Sequence, residues 1–436
     1  MKRLRSSICR LPAGVLLAAL GMAGVLTSAA AGAVDSLDER LPNNFPFFNS
    51  AGAAATFSTA GFVDLANAFH VPQGSNGRSC ESCHLPEVGW SIRPIDVELK
   101  FFLSGGTDPI FNPLDANSPT PDESSLAAKR ASYSMLRKGL FRRGGNVPAG
   151  AEYEIVAFDD PLGAGGSKTA FQAFRRPLAT ANFHIAMNVG WHDQNTNGSG
   201  NVHDGLLNQA LGNITGGQGG STPTQDTLES IASYELGLSF AQQFSFEAGS
   251  LTACGAKGGP EPLSAQQPVF GPFDLFDTWK GVKPGSCGLK SVDRKRAQIA
   301  RGQDIFNSVN PNNGRSCNGC HNASNNGSNI NGTLFDIGVS QAKFRQPGMP
   351  LYTVKNKISG AERQTTDPGR ALRSGRWIDM DKFKVPSLRG LSARAPYFHN
   401  GIAPTLRDVV RHYEMELKFE FSEEQEEDLI AFLQAL

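Results

Sequence analysis

The chain has 436 residues, with 41 Lys and Arg against 41 Asp and Glu, so its formal net charge is zero. That balance excludes the strong basic field needed to bind nucleic acid or an anionic membrane surface, and the length suffices for two domains with real cores. Lys2, Arg3, Arg5 and Arg10 precede the apolar run Val15 to Leu26 and the small residues Ala31-Gly32-Ala33, the pattern of a secretory signal peptide (residues 1 to 33) cleaved after Ala33. The apolar run is short for a bilayer span, and no later stretch reaches that length. The mature chain, with 37 basic against 41 acidic residues, is expected to be soluble and exported to the periplasm; Cys9 leaves with the signal.

Residues 34 to 60, rich in Ala, Asn, Ser and Pro, predict an extended arm. Phe62, Leu65, Ala66 and Phe69 fall at helical spacing and predict a short helix over 61 to 70. It leads into Cys80-Glu81-Ser82-Cys83-His84, a C-x-x-C-H run of the kind that attaches a c-type haem. Two thiols three positions apart share about one helical turn, so both can reach the vinyl groups on one porphyrin edge while the adjoining imidazole ligates iron. The run recurs as Cys317-Asn318-Gly319-Cys320-His321, and both copies follow the same lead-in, Asn76-Gly77-Arg78-Ser79 and Asn313-Gly314-Arg315-Ser316. Half of a zinc site or a redox dithiol would need neither the histidine nor the repetition. The expected cofactors are two covalently bound haem c groups, with His84 and His321 on the irons.

Between the pentads, Arg130 to Phe141 reads as helical and Glu152 to Phe158 as a short strand. The run Gly163 to Thr169 lacks a glycine directly before Lys168 and is not a phosphate loop. Asp193 to Asp204 has the spacing of a calcium loop, with Asp193, Asn195, Asn197 and Asp204 as candidate ligands. An ordinary polar surface loop fits the same residues, because position 12 is Asp rather than Glu and position 8 is Gly200. Leu206 to Leu211 and Thr227 to Phe244 read as helices. Cys254 and Cys287 are left over from the haem cysteines; one disulfide is the simplest outcome in an oxidising compartment, two free buried thiols the other. Domain boundaries are drawn at 34 to 248, a Gly- and Pro-rich connection at 249 to 290, and 291 to 436.

In the last domain Ile299, Gly302 and Phe306 share a helix face, the glycine admitting a crossing helix. That partner is the C-terminal helix, with Ser422 and Gln425 as a capping box and Leu429, Ile430, Leu433 and Leu436 as its apolar face. Thr405 and Asp408 open the helix before it, which carries Leu406, Val409, Val410 and Tyr413. The expected fold is mostly α, with two cytochrome c-like haem domains, long loops and insertions.

The stretch Lys382 to Leu391 followed by Ala395-Pro396-Tyr397-Phe398-His399-Asn400-Gly401 resembles the C-terminal signature of the bacterial diheme cytochrome c peroxidases and MauG. Weaker similarity runs back through the Trp191 region to the first pentad; the diheme rubber oxygenases are similar, less closely. The resemblance implies that the first haem reacts with hydrogen peroxide or dioxygen and the second relays electrons from a small redox protein or other donor. Trp191 matches the family's interhaem tryptophan, and Gln209 stands where the family has a distal-pocket glutamine. The family's distal glutamate aligns with Gly219, and its interhaem calcium asparagine with Arg176. The second axial ligand of the second haem, fourteen residues after His399, corresponds to Tyr413, with Met415 and His412 as neighbouring alternatives. Two competing readings remain open. One is a non-catalytic electron carrier using His70, His184, His192 or His203 as a sixth ligand; the other is an oxygenase acting on an apolar substrate.

Overall fold

The computed structural model describes residues 39–436, so the signal-peptide segment lies outside the described residues. Strands β1 (Gly52–Ser58), β2 (Tyr153–Asp159), β3 (Leu238–Ser245) and β4 (Leu351–Asn356) frame the two pentads, together with helices α1 (Val202–Gly212), α2 (Gln225–Gly237), α3 (Lys290–Asn307), α4 (Leu406–Leu417) and α5 (Glu423–Gln434). Helix makes up 32% and strand 17%. The fold is therefore mixed rather than mostly α.

Most of the unexpected strand lies in the first half. The segment read as an extended arm contains β1, whose Ala53, Ala54 and Ala55 are buried and which pairs antiparallel with β3 from Gly52↔Ser245 to Ser58↔Leu238. The predicted helix from Thr227 accordingly stops at Gly237, and its second half becomes β3. Pairing with a strand about 190 residues earlier outweighs the local helical spacing, as β-structure commonly depends on its neighbours more than on propensity. Residues 61 to 70 also form no helix. Phe62–Asp64 is a strand, and the side chains of Asp64 and Asn67 accept from the backbone N–H of Ala66 and Phe69, turn bonds that compete with helical ones. Of the predicted helix at 130 to 141, one helix ends at Ser132 and a single 3-10 turn covers Leu136–Lys138.

The predicted strand at 152 to 158 is present as β2, paired with β4 in a sheet that joins the first half of the chain to the second. Cys254 and Cys287 form a disulfide with Cα atoms 6.2 Å apart. The connection around it is not a mere linker. Phe273, Phe276 and Trp279 are buried with Phe306, Leu429 and Phe432 in the core of α3 and α5.

The C-terminal half follows its sequence closely. Thr405 with Asp408 and Ser422 with Gln425 form the predicted capping boxes of α4 and α5. Gly302 lies directly against the backbone of Asp428, where a Cβ would collide with its carbonyl, and Arg301 grips the Asp428 carboxylate at 2.7 and 2.8 Å. The crossing brings Phe306 of α3 to 6.0 Å from the His321 ring. Gly302→Ala is expected to lower stability by about 1–3 kcal/mol, because the added methyl must separate the two helices; chemical denaturation measures it.

Candidate haem sites

The shared lead-ins fold alike. In each, the Asn side chain accepts from the backbone N–H of the Arg two residues on, at 3.1 Å for Asn76 and 2.9 Å for Asn313, and the glycine between takes φ +74° or +66°, a conformation glycine adopts without strain. The turn delivers each pentad onto one helical turn. His84 N–H donates to Cys80 O and His321 N–H to Cys317 O, both at 3.1 Å.

Each proximal histidine is then aimed in the same way. His84 Nδ1 donates to Trp90 O at 2.9 Å, and His321 Nδ1 donates to Gly327 O at 2.6 Å, in both cases six residues further on. A carbonyl can only accept, so Nδ1 carries the proton and Nε2 is left for a metal. Burial holds both imidazoles at about 4, which keeps them neutral. Trp90 is itself fixed by β1, its indole donating to Thr56 Oγ1 at 3.0 Å.

A cavity opens beside the second pentad. Cys317, Cys320 and His321 line it with Phe306, Leu388, Val410 and Tyr413; its volume is about 210 Å³, and it is partly open to solvent. Two thiols and one neutral imidazole at the edge of a mostly apolar cavity fit a covalently held haem. The same cavity reaches Ser91, Pro177, Leu178 and Trp191 of the first half, and the Leu178 carbonyl also bears on the His84 ring.

Of the three candidates on α4, Tyr413 lines this cavity, and its hydroxyl makes no hydrogen bond among the described residues. Burial, then the charges of Cys320 and Cys317, push its phenol upward. His412 turns away and donates from Nε2 to Ile337 O at 2.8 Å. Met415 is 55% exposed. Trp191 also lines the cavity; its indole donates to Arg176 O at 2.7 Å and its ring meets His399 edge-on at 6.0 Å, which stacks on Phe383 at 3.9 Å.

Beside the first pentad, Gly219 provides no acid. Its segment instead closes on the lead-in, the carbonyls of Gln218 and Gly219 accepting from Asn76 and Ser75. A residue that sequence reading missed stands nearby. Glu235 of α2 is 1% exposed, lies 3.5 Å from the amide nitrogen of Gln209 on α1, and is near enough to Cys80 for its charge to bear on the thiol. Burial alone pushes its carboxyl well above the usual range. Glutamate on the buried stripe of α2, with Leu228, Ile231 and Ala232, was the available sequence signal.

The residues of the possible calcium loop are drawn to other tasks. Arg370 donates to Asp193 O at 2.9 Å and to Asn197 Oδ1 at 3.3 Å, while the Asp193 carboxylate accepts from Gly198 N–H at 2.6 Å. Asp204 accepts from the Asn201 amide at 2.6 Å at the start of α1, and Asn195 offers its carbonyl to Asn208. A guanidinium thus already holds the first part of the loop.

The chain is 45% identical over 65 residues to the methylamine utilization protein MauG of Methylophilus methylotrophus, a match covering 12% of this chain and 19% of that protein. It is 30% identical over 157 residues to the cytochrome c551 peroxidase of Nitrosomonas europaea, covering 36% and 40% respectively. To the cytochrome-c peroxidase IdrP2 of Denitromonas iodatirespirans it is 42% identical over 100 residues, covering 21% and 25%. The matches span between about a fifth and two fifths of the length of these curated relatives. The chain is a distant homologue of the diheme cytochrome c peroxidase and MauG family, whose members bind haem c. No family model matches it. A MauG-like protein associated with microbial copper homeostasis superposes with a TM-score of 0.34 at 15% identity, over 62% of this chain and 75% of that chain.

Between the two halves, Arg175 forms a two-pronged pair with Asp367 at 2.6 and 2.7 Å, with His192 and His399 against it. Burial opposes ionisation of Asp367, but the Arg175 charge and hydrogen bonds prevail and hold the carboxyl at about 2, against 3.8 ordinarily. A depressed carboxyl contributes stability that is complete above its unfolded pKa and lost as pH falls through the folded value. About 2 kcal/mol is therefore expected to disappear between pH 4 and pH 2. Asp367→Asn should flatten that acid limb and lower the melting temperature at pH 7. A chelator is expected to leave the melting temperature of the wild-type protein unchanged, whereas Arg370→Ala should destabilise by about 1–3 kcal/mol through the unpaired groups it leaves. A chelator-induced drop in melting temperature would restore the calcium reading.

Proposed function

We propose that this protein is an exported, periplasmic diheme c-type cytochrome that oxidises a substrate or a protein partner with hydrogen peroxide or dioxygen. Cys80, Cys83 and His84 would hold the reacting haem; Cys317, Cys320, His321 and Tyr413 would hold a haem that exchanges electrons with a small redox protein or other donor. The haems, when bound, supply the redox chemistry. Among the described residues no helix is long and apolar enough to cross a membrane.

The observation that carries this reading over the electron-carrier one is the fate of His70, the histidine beside the first pentad. Its Nε2 shares a proton with Tyr234 Oη at 2.7 Å, while its buried Nδ1, 2.9 Å from the Glu81 carboxylate, makes no hydrogen bond. With Nε2 tied to Tyr234 the ring is held away from ligation through that nitrogen, which favours a first iron open to an oxidant. His203 Nε2 is engaged by Glu229 at 2.9 Å, and His184 faces Leu263 O.

Glu235 and Gln209 supply the proton handling. A carboxyl whose hold on its proton is strengthened by burial can deliver that proton to a peroxide oxygen and recover it, the task for which a raised pKa suits a glutamic acid. Gln209, hydrogen-bonded to it, orients the carboxyl. Trp191, on the cavity wall between the two halves of the chain, offers an oxidisable ring for electron passage.

The reduced protein is expected to bind carbon monoxide at one haem only, and the protein to consume hydrogen peroxide. Glu235→Gln should lower the peroxide-dependent rate by about 10²–10⁴ without loss of haem. Tyr413→Phe should alter the ligand-sensitive spectrum of the other haem alone and slow substrate oxidation. Two low-spin haems indifferent to carbon monoxide and peroxide would leave the carrier reading standing.

A further inference from the structure

Among the described residues lining the cavity beside Cys317, Cys320 and His321 there is no aspartate and no glutamate, yet three cations line it: the buried Arg176 and Lys384 and the half-buried Arg394. Their hydrogen bonds go only to backbone carbonyls. Arg176 Nη2 donates to Ile92 O at 2.7 Å and Arg394 O at 3.2 Å. Arg394 Nη2 donates to Ser387 O and Arg389 O, each at 2.9 Å, and its Nε to Gly390 O at 3.4 Å. Lys384 Nζ donates to Asn188 O at 2.7 Å. The Nη1 of Arg176 is buried with no partner at all, although Arg176 is only 4% exposed.

The contrast with the preceding residue is direct, since Arg175 has its own carboxylate in Asp367. The carboxylates whose charge reaches the three cations are bonded elsewhere. Asp96, felt by Arg176, is gripped by Arg93 at 2.7 Å; Asp193, felt by Lys384, accepts from Gly198. Burial draws Arg176 and Arg394 down to about 10 and Lys384 to about 8. Buried charge without a counter-charge is costly, and three such charges at one apolar cavity call for an anion from outside the chain.

We propose that Arg176, Lys384 and Arg394 receive a ligand that carries two carboxylates on an otherwise flat, apolar body: the propionates of the haem attached at Cys317 and Cys320. This rests on the diheme reading. Two carboxylates would offset most of the three positive charges. The net positive charge that remains favours the reduced iron, so these side chains raise the reduction potential of that haem.

The test uses the full protein with both haems attached, verified by mass and haem staining, in Arg176→Gln, Arg394→Gln, Lys384→Met and the charge-keeping Arg176→Lys. Each charge-removing variant is expected to lower the potential of one haem by about 59 mV in a spectroelectrochemical titration, a tenfold shift in a one-electron equilibrium. The propionate bending band in the resonance Raman spectrum should move as well, and Arg176→Lys should stay near wild type in potential. Loss of the haem from the second pentad in Arg176→Gln with retention in Arg176→Lys also supports the proposal; equal loss in both overturns it. Unchanged potentials and propionate bands in all three charge-removing variants, with both haems in place, overturn it and leave the diheme reading intact. Absence of covalent haem from the wild-type protein overturns the diheme reading itself.

Discussion

Both candidate metal sites depend on one hydrogen bond, from the Nδ1–H of the pentad histidine to a carbonyl six residues further along. Without it an imidazole can exchange tautomers and swing about its Cβ, and the nitrogen meant for iron is no longer aimed. The chain secures the two acceptors differently. Trp90 is pinned by its indole to Thr56 of β1, so the first site leans on a strand that precedes the pentad by about 30 residues. Gly327 is pinned from the other direction: its N–H donates to Ala323 O, and Leu388, from the C-terminal signature, packs so closely that a Cβ at 327 would collide with it. The stretch Lys382 to Leu391 is thus part of the support for the proximal ligand, as well as part of the cavity wall.

Charge is arranged around these sites with arginine where a metal ion could have stood. Arg370 holds the Asp193 turn, and Arg176, at the position resembling the family's calcium asparagine, is surrounded by carbonyls. A guanidinium is planar, permanently charged and provided with five donors, so it can gather several carbonyl oxygens much as a hard cation does. Unlike a cation it is covalently part of the chain and is not lost to dilution. Glu235 is handled in the opposite way. No base is supplied, and burial pushes the carboxyl well above its usual range, which suits proton donation rather than charge compensation.

The local chemistry of the sites was legible in the sequence. The pentads, their Asn-Gly-Arg-Ser turns, the capping boxes at Thr405 and Ser422, and the close crossing at Gly302 each follow from residues within a few positions of one another, whose geometry is set by backbone dihedrals and short-range hydrogen bonds. The family resemblance nominated Tyr413, and helical phase set it apart from His412 and Met415, which lie about 100° and 200° away around the helix.

What only the tertiary structure decided involves partners far apart in the chain. The strand state of β1 and β3 depends on their mutual pairing across about 190 residues, so neither the Ala-rich segment nor the run after Gly237 announces it. The approach of Glu235 to Gln209 and Cys80 depends on the packing of α1 and α2 over the first pentad. The gathering of Arg176, Lys384 and Arg394 at one cavity joins segments more than 200 residues apart. Periodicity and motif spacing report what a residue does to its neighbours along the chain; burial and unpaired charge are properties of the folded neighbourhood, and they exist only once distant segments have met.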